Sequence, residues 1–213
     1  MKWQKYFILN LDPTDPIVNR VSNMLKYRYC IPKDRCFYDM QDDRDMYGTL
    51  ETRAADAIPL SPTSLAAADR SSKLMIVTHG SESGPGGIFM KMLAVKLKDA
   101  GLKEVGLISF KSCFMGNDEF LDYFSLYLSK NLGIDHGWLI AYRGEITTLK
   151  SRFGVAWHMS LVTYEDIFFH RHEHKDSDSA RIRLVKGNID VILPGSRRFS
   201  SPAQLCNLRR RLT

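Results

Sequence analysis

Long apolar runs are missing from this chain. No stretch approaches the roughly 18 apolar residues of a membrane-spanning helix, and the N-terminal MKWQKYFILNLDPTDP has one short apolar run with no small-residue cleavage site behind it. Neither a membrane span nor a cleavable signal peptide is expected, and the protein should be soluble. Cysteine is sparse as well: Cys30, Cys36, Cys113 and Cys206 stand in unrelated contexts without a CxxC pair, which supports neither a disulfide framework nor a Cys-rich zinc site. A reducing compartment such as the cytoplasm fits, and delivery by a signal-less secretion route leaves the same trace.

Several motifs are incomplete. The glycine-rich GSESGPGG has Glu82 where a nucleophile elbow needs serine, and it lacks the terminal G-K-[ST] of a phosphate-binding loop. The basic tail RRRLT comes without a zinc finger, stacking platform or recognition-helix pattern, so nucleic acid is not an expected partner. His170, His172 and His174 alternate in HRHEHK, and on a strand they would share one face and could ligate zinc. The segment runs into KDSDS and reads as an exposed loop end, so no metal is assigned.

What is present suffices for one sizeable core: 213 residues, of which 44% are hydrophobic, fit a single domain spanning residues 1–213. The net charge of +6 favours an acidic partner. Tyr6 to Leu11 reads as a strand closed by Asp12 and Pro13, and Ile17 to Tyr27 carries apolar residues at helical spacing. From about residue 29 to 70 the chain turns Asp/Arg-rich and then Ala/Pro/Ser-rich; a variable insertion with little regular structure is expected, apart from short strands near Cys36 to Met40.

Order returns in a core of about residues 73–145. LMIV, from Leu74, is a continuous apolar run of the kind buried on both faces of a parallel sheet. Ile88 to Ala100 has helical periodicity and stops at Gly101, Val105 to Phe110 is the next strand, Asn117 is the expected N-cap of a following helix, and WLIAY (138–142) is another strand. The alternation predicts a mainly parallel sheet with helices on both faces, a three-layer α/β fold. Phe153 to Phe169 is ambiguous between helix and strand. Arg181 to Leu193 reads as a β-hairpin turning at Gly187 and Asn188, so the part from about 150 to 213 is expected to be β-rich and basic.

Two of these strands run into reactive residues, His79 and Cys113. In an open parallel sheet, ligands sit beyond the carboxyl ends of the strands. On neighbouring strands, roughly 5 Å apart, an imidazole and a thiol can close on one carbonyl. Cys113 stands ahead of an expected helix N-terminus, which favours a thiolate nucleophile with His79 as base and later acid. The N–H groups of Gly80 and Cys113 are the expected oxyanion donors, and the glycines of the following loop suit a lid over the cleft.

This arrangement, strand-His79-Gly80, helix, strand-x-Ser112-Cys113 with Gly116 shortly after, resembles the caspase-hemoglobinase clan of cysteine peptidases. Of its members, the self-processing peptidase domains of large RTX toxins and related bacterial effectors look nearest, and the resemblance covers about residues 73–145. It implies a three-layer caspase-like fold with a C-terminal β-hairpin addition. It also implies a Cys113–His79 dyad without an obligatory third acid, a substrate that is either the chain itself or a protein partner, and a toxin or effector role in a host cytosol. KSCFMG departs from the QACRG of caspases, and in several members the residue two before the cysteine lines the pocket for the side chain preceding the cut. Here that residue is Lys111, which suits an acidic side chain. The toxin-type relatives further imply inositol hexakisphosphate as an activator, for which Arg181, Arg183, Lys186, Arg197 and Arg198 are the candidate contacts. No other cofactor is expected. The alternative is a catalytically inactive module of the same fold that binds partners through its basic surface.

Overall fold

A computed structural model describes residues 3–39, 57–81, 84–85, 88–117, 119–144, 146–153, 156–163 and 182–193. The chain opens with β1 (Lys5–Asn10) and α1 (Pro16–Tyr29), followed by the short β2 (Cys36–Tyr38) and β3 (Ile58–Pro59). β4 (Ser72–Val77) leads into a small hairpin, β5 (Gly80–Ser81) with β6 (Gly84–Pro85), then α2 (Met90–Asp99), β7 (Glu104–Lys111), α3 (Phe120–Leu126) and β8 (Asp135–Tyr142). β9 (Ile146–Phe153), β10 (Ala156–Thr163) and β11 (Ile182–Lys186) complete it.

Seven strands form one sheet in the order β11-β8-β7-β4-β1-β2-β3. Every pair is parallel except β11 against β8. The alternation of side chains along these strands divides the core in two. Ile8, Met75 and Val77 pack under Val18, Val21, Met24 and Leu25 of α1. Phe7, Leu74, Ile76, Ile108 and Phe110 pack under Leu93, Ala94 and Leu97 of α2 and Leu121 and Phe124 of α3. The expected three-layer α/β architecture is therefore present. LMIV is fully buried because both layers cover it.

Local chemistry sets the helix ends. Asp15 N-caps α1, its Oδ1 accepting from Ile17 N at 2.7 Å and Val18 N at 2.9 Å, with Pro16 at the first helical position. α2 closes as expected, with Gly101 at φ +86°. α3 does not begin where the sequence suggests. Asn117 N bonds back to Phe114 O in a turn, and the helix starts only after Glu119, which makes no side-chain cap. The exit turn after Cys113 takes up Asn117, the expected cap, and Asp118 lies outside the described residues.

Two other expectations change. In the 29–70 excursion β2 lies within the expected Cys36–Met40 strand region, while β3 and the seating of Phe37 and Leu65 in the main core go beyond what was expected; residues 40–56 lie outside the described part. The 181–193 stretch supplies one strand rather than two. Gly187 N donates to Gly137 O, Asn188 Oδ1 accepts from His136 N, and Trp138 Nε1 donates to Val191 O, so β8 takes the groups a second arm would have used. Gly187 is pressed so close that a Cβ there would lie 1.9 Å from His136 O. The C-terminal hairpin is instead β9–β10, paired antiparallel from Ile146↔Thr163 to Phe153↔Ala156, so the described part of the ambiguous apolar segment, Phe153 and 156–163, is strand, and 164–169 lie outside the described residues.

His136 is fully buried under that turn, with Nε2 2.8 Å from Ser125 Oγ of α3. Burial lowers its pKa below the ordinary 6.5. Between the lowered value and 6.5 the unfolded chain takes up a proton that the folded chain refuses, so stability falls as pH drops through that window. Urea midpoints measured from pH 7.5 down to 5.5 should decline, and His136→Gln should flatten that slope whatever it costs in stability; an unchanged slope would show that His136 is not the titrating group.

Candidate active site

β4 and β7 are paired through Val77↔Lys111. His79 and Cys113 each stand two residues beyond that pair, so the two reactive residues leave the same sheet edge at equal offset. The exits touch. A Cβ built on Gly80 would lie 1.9 Å from Cys113 O and 2.7 Å from Cys113 N, so only glycine lets the two backbones approach. His79 is exposed, and Cys113 is half-buried and not in a disulfide.

The turn after Cys113 is unusual. Phe114 adopts φ +57°, a left-handed conformation that costs an aromatic residue about 1–2 kcal/mol. Phe114 N donates to Gly144 O at 3.3 Å and Gly116 N to Tyr142 O at 2.7 Å, which fastens the turn to the end of β8. The expected helix terminus behind Cys113 is displaced, since α3 begins at Phe120. This turn, not a helix dipole, is the immediate setting of the thiol.

The β1–α1 loop supplies two residues that the sequence reading did not assign to the site. Asp12 Oδ2 accepts from Thr78 Oγ1 at 2.5 Å and from His79 N at 2.9 Å. Asp15 Oδ2 lies 3.1 Å from His79 Nε2. Burial works to raise the Asp15 carboxyl, but the N–H groups of Val18 and Ile17 together with His79 outweigh it and hold the group below its ordinary value. In DPTDP the sequence signals a turn and a helix cap, and nothing in it marks a contact more than 60 residues away.

Lys111 lies along the sheet beside Tyr142, with Nζ 3.3 Å from the tyrosine Oη and 5.0 Å from the ring centroid. Burial, then the nearby Arg28, lowers its pKa to about 8. Lys73, on the same face, has Nζ 5.5 Å from the Tyr29 ring, and burial followed by Lys111 and Arg28 lowers it to about 7. No carboxylate among the described residues pairs with Arg28, Lys73 or Lys111.

The other basic candidates are placed differently. Arg183 pairs with Asp122 of α3 and Lys186 pairs with Asp190 at 2.6 Å. Three positions apart on β11, they point to opposite faces. Arg181, Arg197, Arg198, the 170–174 histidines, and Glu82, Ser83, Gly86 and Gly87 of the loop lie outside the described residues. Among the described residues there is no metal-type cluster of His, Cys, Asp and Glu, and no helix long and apolar enough to cross a membrane.

Compared with known proteins, the chain matches no family model and no curated sequence. Its class rests on its own geometry: an α/β protein with a mostly parallel sheet, carrying a histidine and a cysteine at matched ends of adjacent strands. Gly80→Ala tests that contact. It should lower stability by about 1–3 kcal/mol in urea unfolding, because the new methyl meets backbone rather than a side chain that can yield; a neutral substitution would mean the exits are not in contact.

Proposed function

We propose that this protein is a cysteine endopeptidase of the caspase-hemoglobinase type that cleaves itself or a protein partner. What carries the reading is the shared exit of β4 and β7, with His79 and Cys113 at equal offset and backbone contact at Gly80. In the mechanism, His79 removes the Cys113 thiol proton and the sulfur attacks the scissile carbonyl, giving a tetrahedral oxyanion stabilised by the Gly80 and Cys113 N–H groups. The oxyanion collapses as the imidazolium gives its proton to the leaving amine, leaving a thioester. His79 then deprotonates water, which attacks the thioester and releases the acid and the free thiol.

Lys111 is the proposed selector of an acidic side chain before the cut. Its lack of a carboxylate partner among the described residues supports this, since a half-buried ammonium is left to be satisfied by a ligand. The same feature in Arg28 and Lys73 supports the wider expectation of an anionic ligand, including inositol hexakisphosphate as activator. Arg183 and Lys186 are already neutralised by acids and contribute less to that argument. An effector or toxin role follows only from the resemblance.

Incubation of the purified chain with a peptide library, and with itself, should yield cleavage that disappears in both Cys113→Ala and His79→Ala. Cleavage surviving in either rules the dyad out, and no cleavage by the wild type, with or without the polyphosphate, favours the non-catalytic binding module. Where cleavage occurs, Lys111→Leu should cut kcat/KM for acidic side chains at that position by roughly 10- to 100-fold, in line with loss of one charge-assisted pair. A wild type preferring Arg, Lys or Leu there would remove Lys111 from the pocket.

A further inference from the structure

We infer that Asp15 is a positioning residue for His79, so that the β1–α1 loop completes a site otherwise made by two strand ends. The consequence for catalysis rests on the peptidase reading above; the positioning itself does not. The two carboxylate oxygens of Asp15 are divided. Oδ1 is fixed by the N–H groups of Ile17 and Val18 at the start of α1, and Oδ2 faces His79 Nε2 at 3.1 Å. The helix that holds Oδ1 is itself seated on the sheet through Val18, Val21, Met24 and Leu25. Asp12 secures the other half of the histidine: its Oδ2 takes His79 N, and its backbone O takes Asp15 N at 3.1 Å. Leu11 N donates to Val77 O at 3.0 Å, tying the loop to the end of β4. The imidazole is thus gripped at both its backbone and its ring by one short segment.

A carboxylate accepts hydrogen bonds and donates none, so Nε2 must carry the ring proton in the neutral form. Nδ1 is then the nitrogen with the free lone pair, and it is the one available to take a proton from a thiol. Once His79 is charged, Asp15 is its ion-pair partner at 3.1 Å. With His79 57% and Asp15 31% exposed, the contact adds little to folding stability. Its worth lies in fixing the tautomer and the ring angle.

The test uses the full chain with Asp15→Asn and Asp15→Ser, both of which keep a good helix N-cap, and Asp15→Glu as the conservative variant. Long-range ¹H–¹⁵N correlation of the His79 ring at about pH 9, where an imidazole is neutral, should show the Nε2–H tautomer in the wild type and an Nδ1–H admixture in both cap-preserving variants, with melting temperatures close to wild type. An unchanged tautomer in both overturns the inference. Where the wild type cleaves a peptide, both variants should lose about 10²-fold in kcat with KM held within about twofold, and Asp15→Glu should recover part of it. Wild-type kcat in both, with Cys113→Ala and His79→Ala inactive, overturns the positioning role and leaves the peptidase reading standing. Cleavage that survives Cys113→Ala overturns that reading and leaves the tautomer result as the measure of Asp15.

Discussion

The parallel pairing of β4 with β7 is the constraint on which the rest of this structure depends. It fixes Val77 opposite Lys111, and because both chains continue in step, it brings His79 and Cys113 off the sheet together. Layers on both faces hold the pairing rigid: Met75 and Val77 under α1, and Leu74, Ile76, Ile108 and Phe110 under α2 and α3. A slip of one residue would turn every side chain of β7 to the wrong layer and carry Cys113 out of step with His79. The position of the reactive pair is thus enforced by burial of the core.

Much of this was legible in the residues. LMIV and VGLISF are apolar on both faces, which is the signature of central parallel strands, and the Gly101 stop and the Asp15-Pro16 start follow from elementary helix chemistry. The matched ends followed from the strand ends alone. What was hidden depends on distant partners. Asp15 looked like a helix cap and is also the partner of His79, and Asn117 looked like a cap and is part of a turn anchored on β8. Arg181–Leu193 had hairpin chemistry, yet β8 competes more effectively for its hydrogen bonds. In each case a tertiary contact outranked a local preference.

The face of the sheet beside α1 also holds a charge arrangement that composition does not reveal. Burial, and then the neighbouring positive charges, lower Lys73 and Lys111 beside Arg28, on a surface where Tyr6, Tyr29 and Tyr142 supply rings but no negative charge. Cation–ring contacts compensate partly for lost hydration. The opposite edge strand follows the opposite logic, with Arg183 and Lys186 each matched to an acid. An anionic group would therefore be better accommodated beside β7, next to Lys73 and Lys111, than on β11, and the proposed acidic-side-chain selectivity and anionic ligand both draw on that one face.

The most direct measure of the central claim, that His79 and Cys113 work as a pair, is the site of covalent labelling by a peptidyl chloromethyl ketone with an acidic side chain next to the warhead, mapped by peptide mass spectrometry. Labelling should be confined to Cys113 in the wild type and strongly slowed in His79→Ala. Labelling spread evenly over Cys30, Cys36, Cys113 and Cys206, or labelling of Cys113 at the same rate without His79, would contradict it.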